Sequence, residues 1–290
     1  MKKLLVEYED SGKKLTTFLT SKYPKLNVNS VYKALRKKDV KLNGKRINDN
    51  VELTYGDELE VYIVDSEFEG TKKEINISKV YEDENILVVN KPQDIEVEGE
   101  NSITSYLKKQ YTYIEPCHRI DRNTIGLVIF AKNEDALNQI IEMFKSQSIE
   151  KHYIACCYGI PKSNATINGY LFKDRKKSLV FISKEPKKGY TKITTSYKLI
   201  KENKDKNVSL LDVTLHTGKT HQIRAHLAFA GLPLLGDGKY GSYEINKRFK
   251  IYKQALCSYS LTFNVEEGSL AYLNGTTIAL KKIPFEDIID

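Results

Sequence analysis

The feature that most constrains the fold is a series of short apolar runs with strand character between residues 80 and 265. Seven runs qualify: ENILVVNK, TIGLVIFAK, EKHYIACCYG, SLVFIS, TKITTSYKLI, VSLLDVTLH and YSLTFNV. β-Branched and aromatic residues at this density suit a pleated, half-buried surface. The pattern predicts an α+β fold in which residues 80–290 build a large mixed, mainly antiparallel β-sheet.

Two helices are predicted within this region, and both have recognisable ends. The first covers residues 133–144, with Asn133 as its cap and acidic residues in its first turn, where they suit the helix dipole. The second covers residues 221–230. We expect Thr220 to cap it and Gly231 to end it, since glycine readily adopts the left-handed conformation that follows many helices.

Residues 12–66 have the pattern of a smaller α+β unit. Apolar residues at helical spacing predict two short helices, the second capped by Asn29 or Ser30. Asn43-Gly44, between two short apolar runs, predicts a hairpin with a type I′ turn. Residues 67–79 are charged and without pattern, which is typical of a linker.

The smaller unit is strongly basic over one stretch of fourteen residues. Its second helix and hairpin carry Lys33, Arg36, Lys37, Lys38, Lys41, Lys45 and Arg46. The whole chain has a formal net charge of +8, which favours a polyanionic partner. A lysine-rich solvated face is the alternative. The density of basic residues on two neighbouring elements favours phosphate binding.

Composition excludes several classes of protein. The four cysteines include no CxxC pair, which favours a reduced protein without disulfides. The longest apolar run, residues 125–131, is too short to cross a bilayer, and the first residues lack a secretory apolar region. We therefore expect a cytoplasmic protein with no membrane association.

The stretch CHRIDRNTIGLVIFAKN places an acid in a basic turn directly before an apolar strand. Asp121 is flanked by Arg119 and Arg122, and nearby positive charge favours the ionised form of a carboxylate. Such a group serves as a nucleophile or a base rather than as a general acid. The local pattern alone favours a structural salt bridge or a turn cap, and the catalytic interpretation stays open.

A second dense stretch, TLHTGKTHQIRAHLAFAGLPLLGDGKYG, joins a strand to the second predicted helix through a glycine-containing loop. Free N–H groups at a helix N-terminus attract anions, and Lys219 strengthens that interpretation. His221 and His226 lie about 140° apart on a helix, which is unsuitable for a shared metal. The chain has no HExxH or GxxxxGK[ST] motif. We therefore expect no metal and no cofactor.

Three blocks of the chain resemble the RluA-type pseudouridine synthases, in the order in which that family has them. HRIDRNTIGL is similar to the family's HRLDxxTSGL, KHYIACCYG to KxYxAxxxG, and HTGKTHQIRAHL to HTGRTHQIRxHL. The family also has an earlier block, an apolar strand that runs into a Lys-Pro turn, and the stretch ILVVNKPQDI of this chain is similar to it. Residues 12–66 resemble the alpha-L RNA-binding module of a small-subunit ribosomal protein, which is common at the amino terminus of this family.

The resemblance implies an RNA pseudouridine synthase, an isomerase that acts on a flipped-out uridine without metal or redox cofactor. Asp121 falls on the catalytic aspartate, Tyr153 on the active-site tyrosine, and Arg224 on the arginine that pairs with the acid. Further contacts to RNA are expected from Arg119, Arg122, Lys219 and His221. Arg119 is expected to fill the space that the flipped base leaves. Whether Asp121 attacks the base or the ribose stays open.

The implied partner is a structured RNA, with large-subunit ribosomal RNA expected first and transfer RNA as the alternative. We expect a monomer. Two other functions stay open at this point: a catalytically inactive RNA-binding protein on the same fold, and a carboxylate-dependent glycosidase acting on nucleosides. A glycosidase would release the free base, whereas an isomerase leaves the uracil attached. A Ser/His/Asp hydrolase lacks support, since the chain has no GxSxG motif.

The chain departs from the family pattern at three positions. Ile125 replaces a serine, Lys219 replaces an arginine, and Asp94 stands where a glycine is expected after the Lys-Pro turn. Lysine keeps the positive charge of arginine but loses its two-pronged donor geometry. These departures affect the expected RNA selectivity and pocket shape more than the expected chemistry.

Overall fold

The protein is described from a computed structural model, which covers residues 1–68, 77–174 and 176–290. The chain divides into two compact units, Met1–Ile75 and Asn76–Asp290. Most of the predicted linker, the segment 69–76, lies outside the described residues. None of the described helices has the length and hydropathy needed to cross a lipid bilayer.

The first unit is a four-stranded antiparallel sheet packed against two helices. Its strands lie in the order β1-β4-β2-β3. β1 precedes residue 12, where the predicted unit begins, and pairs along its whole length with β4. The elements are β1 Lys2–Leu5, a 3-10 turn Tyr8–Asp10, α1 Leu15–Lys22, α2 Val28–Arg36, β2 Val40–Leu42, β3 Lys45–Ile47, β4 Glu58–Val61 and α3 Asp65–Phe68.

Local sequence explains the hairpin and the second helix of this unit. Asn43 and Gly44 both have positive φ, 50° and 77°, as a type I′ turn requires, so the predicted hairpin is confirmed. The predicted cap of α2 at Asn29 or Ser30 is wrong. Asn27 caps the helix and accepts a hydrogen bond from the backbone N–H of Asn29 at 2.8 Å. A cap residue needs extended backbone, which Asn27 has, while the two predicted residues already lie inside α2.

The second unit contains one large sheet of eleven strands. Nine of them follow the order β11-β10-β12-β13-β9-β14-β8-β6-β5, while β15 pairs with β14 and β7 pairs with β8. Among the described strands only β8 and β14 pair in parallel, so the predicted mixed, mainly antiparallel sheet is confirmed. The strands are β5 Ser78–Glu82, β6 Ile86–Lys91, β7 Glu115–Pro116, β8 Ile125–Ala131, β9 Ile149–Tyr158, β10 Ala165–Asp174, β11 Leu179–Ser183, β12 Thr191–Asn203, β13 Val208–Leu215, β14 Leu256–Phe263 and β15 Thr277–Ala279.

Five described helices belong to this unit: α4 Ile103–Leu107, α5 Glu134–Lys145, α6 Gln222–Phe229, α7 Tyr243–Phe249 and α8 Glu286–Ile289. The predicted cap of α5 is confirmed, since Asn133 accepts a hydrogen bond from the Ala136 N–H at 2.8 Å. The predicted cap of α6 at Thr220 is wrong, because His221 occupies that position without a side-chain cap. Gly231, at φ 83°, follows the end of α6 as predicted.

The strand β10 is absent from the predicted series because a glycine interrupts its pattern. Gly169 faces α6, and a β-carbon there would lie 3.2 Å from Nε2 of His226. A glycine inside a strand often marks such a close approach. The helix and the sheet therefore approach each other closely at a point where the sequence lacks a strand signal.

A second glycine allows the parallel contact at the centre of the large sheet. A β-carbon on Gly126 would lie 2.1 Å from the backbone oxygen of Ser258, and φ of Gly126 is 108°. Only glycine fits both restrictions. The close pairing of β8 with β14 fixes where β8 begins, and it therefore fixes the position of the loop 117–124 that leads into it.

Candidate active site

The loop 117–124 forms one wall of a cleft with a volume of about 720 Å³. The start of α6 forms the opposite wall, and Tyr153 of β9 lies between them. The C-terminal end of α5 extends the cleft with Phe144 and Lys145. The cleft thus gathers both motif-rich stretches of the sequence, although about 100 residues separate them in the chain.

Buried hydrogen bonds fix the loop that carries the central acid. The imidazole of His118 accepts the N–H of Ile129 at 3.1 Å, so the ring continues the pairing of β7 along β8. Burial lowers the pKa of His118 to about 3, which keeps the ring neutral. Lys91 donates from a fully buried ammonium to the carbonyls of Pro92, Ile95 and Arg122, each at 2.9 Å. Burial lowers the pKa of Lys91 to about 8.

Asp121 is held by one arginine that also binds a second aspartate. Nη1 of Arg224 donates to Oδ2 of Asp121 at 2.8 Å. The same guanidinium donates to both carboxylate oxygens of Asp237, from Nε at 2.7 Å and from Nη2 at 3.0 Å. Within the described residues, Oδ1 of Asp121 accepts no hydrogen bond. The aspartate is therefore oriented through one oxygen and available through the other.

The pair Arg224–Asp237 is buried, with relative exposures of 6% and 1%. Burial alone would raise the pKa of Asp237, but hydrogen bonds from Arg224 and from two backbone N–H groups lower it overall. The same contacts raise the pKa of Arg224 against the effect of burial. Both groups are therefore charged, and the arginine side chain has little freedom to rotate.

His221 approaches the same carboxylate from the start of α6. Its Nε2 lies 3.9 Å from Oδ2 of Asp121, and its Nδ1 lies 2.8 Å from the hydroxyl of Tyr240. That hydroxyl also accepts the N–H of Val180 at 2.9 Å, and its own proton is available to Nδ1. Burial lowers the pKa of His221. When Tyr240 donates to Nδ1, the neutral ring carries its proton on Nε2, which faces Asp121.

The unusual backbone of His221 explains its orientation. Its φ is 55°, in the left-handed region that few non-glycine residues adopt. The side chain of Gln222 ties the preceding loop to the start of α6, since its Oε1 accepts from the Thr217 hydroxyl at 2.9 Å and from the N–H of Lys219 at 3.2 Å. The buried glutamine thus holds the loop that presents His221 to the cleft.

Tyr153 forms the floor of the cleft and is 6% exposed. Burial raises its pKa, and the negative charge of Asp121 adds to the effect. The hydroxyl therefore stays protonated at neutral pH. The nearby hydroxyl of Ser258 acts against this rise in pKa without cancelling it.

The two arginines that flank Asp121 in sequence do not contact it, which corrects their predicted role as counter-charges. Arg119 is exposed and lies 3.4 Å from a carboxylate oxygen of Glu98. Nε of Arg122 donates to the carbonyl of Asp94 at 3.1 Å. The turn directs neighbouring side chains apart, so the counter-charge comes from Arg224, 103 positions away.

Asp94 also explains one departure from the family pattern. Its φ is 66°, a left-handed conformation that glycine adopts without strain. Aspartate is among the few other residues that tolerate it, because its short polar side chain can form local hydrogen bonds. The turn therefore keeps the shape for which a glycine is expected.

The five histidines do not form a metal site. His118, His216 and His221 line the cleft, whereas His226 is buried against Thr195. His152 lies between Asp212 and Glu150, at 2.8 and 3.0 Å, and these carboxylates raise its pKa. Among the described residues, no group of three His, Cys, Asp or Glu side chains could hold a metal ion.

The seven predicted basic residues of the first unit do lie on α2, on β2 and β3, and on the turns beside them. Six are exposed, and Lys41 is half-buried beside Glu60 at 3.0 Å. Arg46 donates to the carbonyl of Lys38 at 2.6 Å. Within the described residues Lys33, Arg36, Lys37, Lys38 and Lys45 have no ion-pair partner, whereas Lys41 and Arg46 have one. The structure therefore leaves these five charges open to an anion.

Sequence reasoning missed Asp237 and Tyr240. Both belong to the stretch GDGKYG, which ends the second motif-rich region but has no recognised catalytic spacing. The N–H groups of Lys239 and Tyr240 donate to Oδ1 of Asp237 at 2.8 and 3.2 Å. An acid between glycines beside a Lys-Tyr pair is the only local signal. Its contact with Arg224 depends on the packing of α6 against the sheet.

The comparisons with a family model and with related sequences agree on one family. The family described as RNA pseudouridylate synthase matches residues 85–229. A protein of Mycoplasma capricolum, named as an uncharacterized RNA pseudouridine synthase, is 33% identical over 96% of this chain and 97% of its own. A ribosomal large subunit pseudouridine synthase C of Buchnera aphidicola is 31% identical over 88% of this chain and 87% of its own.

The fold is also found in solved structures. Human RNA pseudouridylate synthase domain containing 1 superposes with a TM-score of 0.62 at 24% identity, over 74% of this chain and 87% of its own. Human RNA pseudouridylate synthase domain containing 4 superposes with a TM-score of 0.60 at 22% identity, over 74% of this chain and 92% of its own. At these identities the likeness concerns the fold alone.

Proposed function

The chain belongs to the RNA pseudouridylate synthase family, and we propose that it converts uridine to pseudouridine in large-subunit ribosomal RNA with Asp121 as its nucleophile. The observation that carries the catalytic part is the asymmetry of this carboxylate. Asp121 lines the cleft, and its Oδ2 is bound by Arg224 at 2.8 Å, while Oδ1 accepts no hydrogen bond from the described residues. An ionised oxygen with a fixed direction is what a nucleophile requires.

The reaction breaks the bond between N1 of uracil and C1′ of ribose, rotates the base and joins C5 to C1′. A proton leaves C5, and one is gained at N1, so the product is an isomer of the substrate. Asp121 supplies the nucleophile for the first step, at the ribose or at the ring. The Arg224 guanidinium stabilises the negative charge that returns to the carboxylate when the intermediate breaks down.

Tyr153 is proposed to serve the second half of the reaction. Its ring offers a flat face to the uracil, and its hydroxyl lies on the cleft floor beside the reacting base. The raised pKa makes free phenolate unfavourable. We therefore assign the hydroxyl to relaying the C5 proton, since it accepts one proton while it passes its own onward.

The target uridine has to leave its base stack to reach Asp121. Unstacking costs a few kcal/mol, least in a loop or bulge. The cleft volume of about 720 Å³ accommodates a nucleotide. Arg119, exposed at the rim two residues before Asp121, is proposed to occupy the space that the base leaves, and its weak pairing with Glu98 at 3.4 Å leaves it able to move.

Ribosomal RNA is supported as the substrate by the relatives named as ribosomal large subunit pseudouridine synthases C, which match most of this chain. The net charge of +8 suits a large folded polyanion. A cytoplasmic location is part of this proposal, since it would give the enzyme access to ribosomal RNA. Retention of Asp121, Tyr153 and Arg224 around one cleft argues against an inactive binding protein.

The proposal is tested with ribosomal RNA that carries tritium at C5 of uracil. The wild-type protein should release tritium as water, because the C5 proton is lost when the new bond to C1′ forms. No free uracil should appear. Release of uracil would indicate a glycosidase instead, and tight binding without tritium release from deproteinised large-subunit RNA would indicate a binding protein.

The first unit is proposed to be the alpha-L-type RNA-binding module. Replacing Lys33 and Lys37 with glutamine should weaken RNA binding and flatten its salt dependence by about two, since each phosphate contact contributes about 0.9 to the slope. The matched control replaces Lys14 and Lys25, two exposed lysines of the same unit. Filter binding across a salt series measures both slopes, and equal slopes for the two double variants would refute the assignment.

A further inference from the structure

Behind the wall that His221 forms, the structure has a second cavity of about 370 Å³. Lys173 at the end of β10, Thr220 in the loop before α6, and Lys239 in the loop that follows Asp237 line it. Ser178 and Val180 complete the opposite side. Thr220 and His221 belong to the linings of both cavities, and Nε2 of His221 lies 3.9 Å from Oδ2 of Asp121, so the second cavity adjoins the catalytic cleft at the start of α6.

The chemistry of this cavity is cationic. Nζ of Lys173 donates to the hydroxyl of Thr220 at 3.3 Å, and Nζ of Lys239 donates to the carbonyl of Ser178 at 2.7 Å. Each ammonium has three protons and uses one in these contacts. Neither lysine has a carboxylate within ion-pair distance in the described part of the chain. Two ammonium groups and a hydroxyl therefore converge with donors unused.

The surroundings raise the positive potential further. Between residues 173 and 192 the sequence has seven lysines against two carboxylates. One of those acids, Asp174, accepts the backbone N–H groups of Lys176 and Lys177 at 2.9 and 3.0 Å, which leaves both ammonium groups to solvent. A concave site lined by one sign of charge concentrates counter-ions of the other sign.

We propose that this cavity binds a backbone phosphate of the RNA next to the target uridine, and so holds the strand while the base enters the catalytic cleft. The inference rests on the proposed function. A phosphodiester is the ligand that matches two ammonium groups and one hydroxyl donor. The site adjoins the cleft that contains Asp121, which suits a phosphate next to the flipped nucleotide.

A backbone hydrogen bond of Lys239 connects the second cavity to the catalytic cleft. Its backbone N–H donates to Oδ1 of Asp237 at 2.8 Å, and the same carboxylate binds Arg224, the partner of Asp121. One buried aspartate therefore fixes the relative positions of the phosphate site and the catalytic carboxylate. Positive charge on Lys239 also contributes to the low pKa of His221.

The first test is lysine footprinting on the otherwise intact Asp121→Asn variant, which binds RNA without turning it over. Saturating large-subunit ribosomal RNA should protect Lys173 and Lys239 from acetylation at least severalfold, as measured by mass spectrometry. Lys281 and Lys282, two lysines outside both cavities, serve as the internal reference. Inorganic phosphate at the same phosphate concentration should protect neither. Equal acetylation of Lys173 and Lys239 with and without RNA would overturn the proposal.

The second test compares two charge-matched double variants. K173Q/K239Q should bind ribosomal RNA roughly tenfold or more weakly, with a salt slope lower by about one, since the two lysines share one phosphate. K187Q/K188Q removes the same charge from the same lysine-rich segment outside the cavity and should change both quantities less. Equal effects of the two variants would indicate general attraction and would exclude a phosphate site. Wild-type tritium release, measured separately, reports whether the proposed function itself holds.

Discussion

Replacement of Asp121 by asparagine is expected to reduce tritium release from C5-labelled ribosomal RNA on the order of 10⁴-fold or more, as loss of a catalytic nucleophile does in other enzymes. The amide has nearly the same shape but is neutral and a poor nucleophile. Arg224 keeps both bonds to Asp237, so the surrounding structure should persist. Tritium release at saturating RNA measures the effect.

Two controls separate chemistry from binding and folding. Asp205→Asn, at an exposed turn outside the cleft, removes the same charge and should leave activity unchanged. Filter binding should give Asp121→Asn an affinity for RNA near that of the wild type, since phosphate contacts lie elsewhere. Activity of Asp121→Asn within about tenfold of the wild type would exclude Asp121 as the nucleophile.

Replacement of Asp237 by asparagine is expected to lower the free energy of unfolding by about 3–5 kcal/mol, because it leaves the buried Arg224 with an incomplete set of partners. For a unit of this size that corresponds to a fall in Tm of roughly 10 °C. Thermal unfolding followed by circular dichroism measures it. Asp212→Asn, which removes a half-buried carboxylate beside His152, should have a much smaller effect.

The same substitution should also reduce kcat by about 10²-fold with a smaller change in KM. Asp237 fixes two of the three Arg224 donors that make contacts, so without it the arginine no longer holds Oδ2 of Asp121 in one place. A misplacement of about 1 Å at a reacting group has an effect of this size. Measured below the transition temperature, an unchanged kcat would show that Asp237 serves stability alone.

The pH dependence of unfolding provides an independent check on Asp237. Its pKa is below the ordinary value of 3.8 in the folded protein. A carboxylate of this kind contributes stability that is fully present above the unfolded pKa and is lost as the pH falls through the folded pKa. The wild type should therefore lose stability below about pH 4 more steeply than Asp237→Asn does, because asparagine has no proton to take up.

Several properties of the protein could be predicted from the sequence because they depend on short-range patterns. Strand-like runs predicted the large sheet, Asn133 predicted the start of α5, and Asn43-Gly44 predicted the hairpin. Hydrogen bonds between residues one to four positions apart produce these features, so neighbouring residues are sufficient to specify them. The predicted cap residues of α2 and α6 were wrong. Asn27 and His221 occupy these positions, each in a stretch where several polar residues could serve as the cap.

Matched blocks of sequence located the residues of the cleft, but not all of their contacts. The resemblance implied that Arg224 pairs with Asp121, whereas the local pattern suggested Arg119 and Arg122. Distance along the chain cannot decide between these partners. The partner is selected by the direction in which the loop 117–124 enters β8, and that direction follows from the parallel contact of Gly126 with Ser258.

The sequence by itself determined the α+β class and the family to which the chain belongs, and it singled out Asp121 as the proposed reactive acid. The tertiary structure alone decided that Asp237 anchors Arg224, that His221 turns its Nε2 toward Asp121, and that Lys173 and Lys239 converge in one cavity. These groups come from separate strands and loops. Their contacts exist only after the sheet has ordered those elements side by side, since no local hydrogen bond or periodicity links them in the chain.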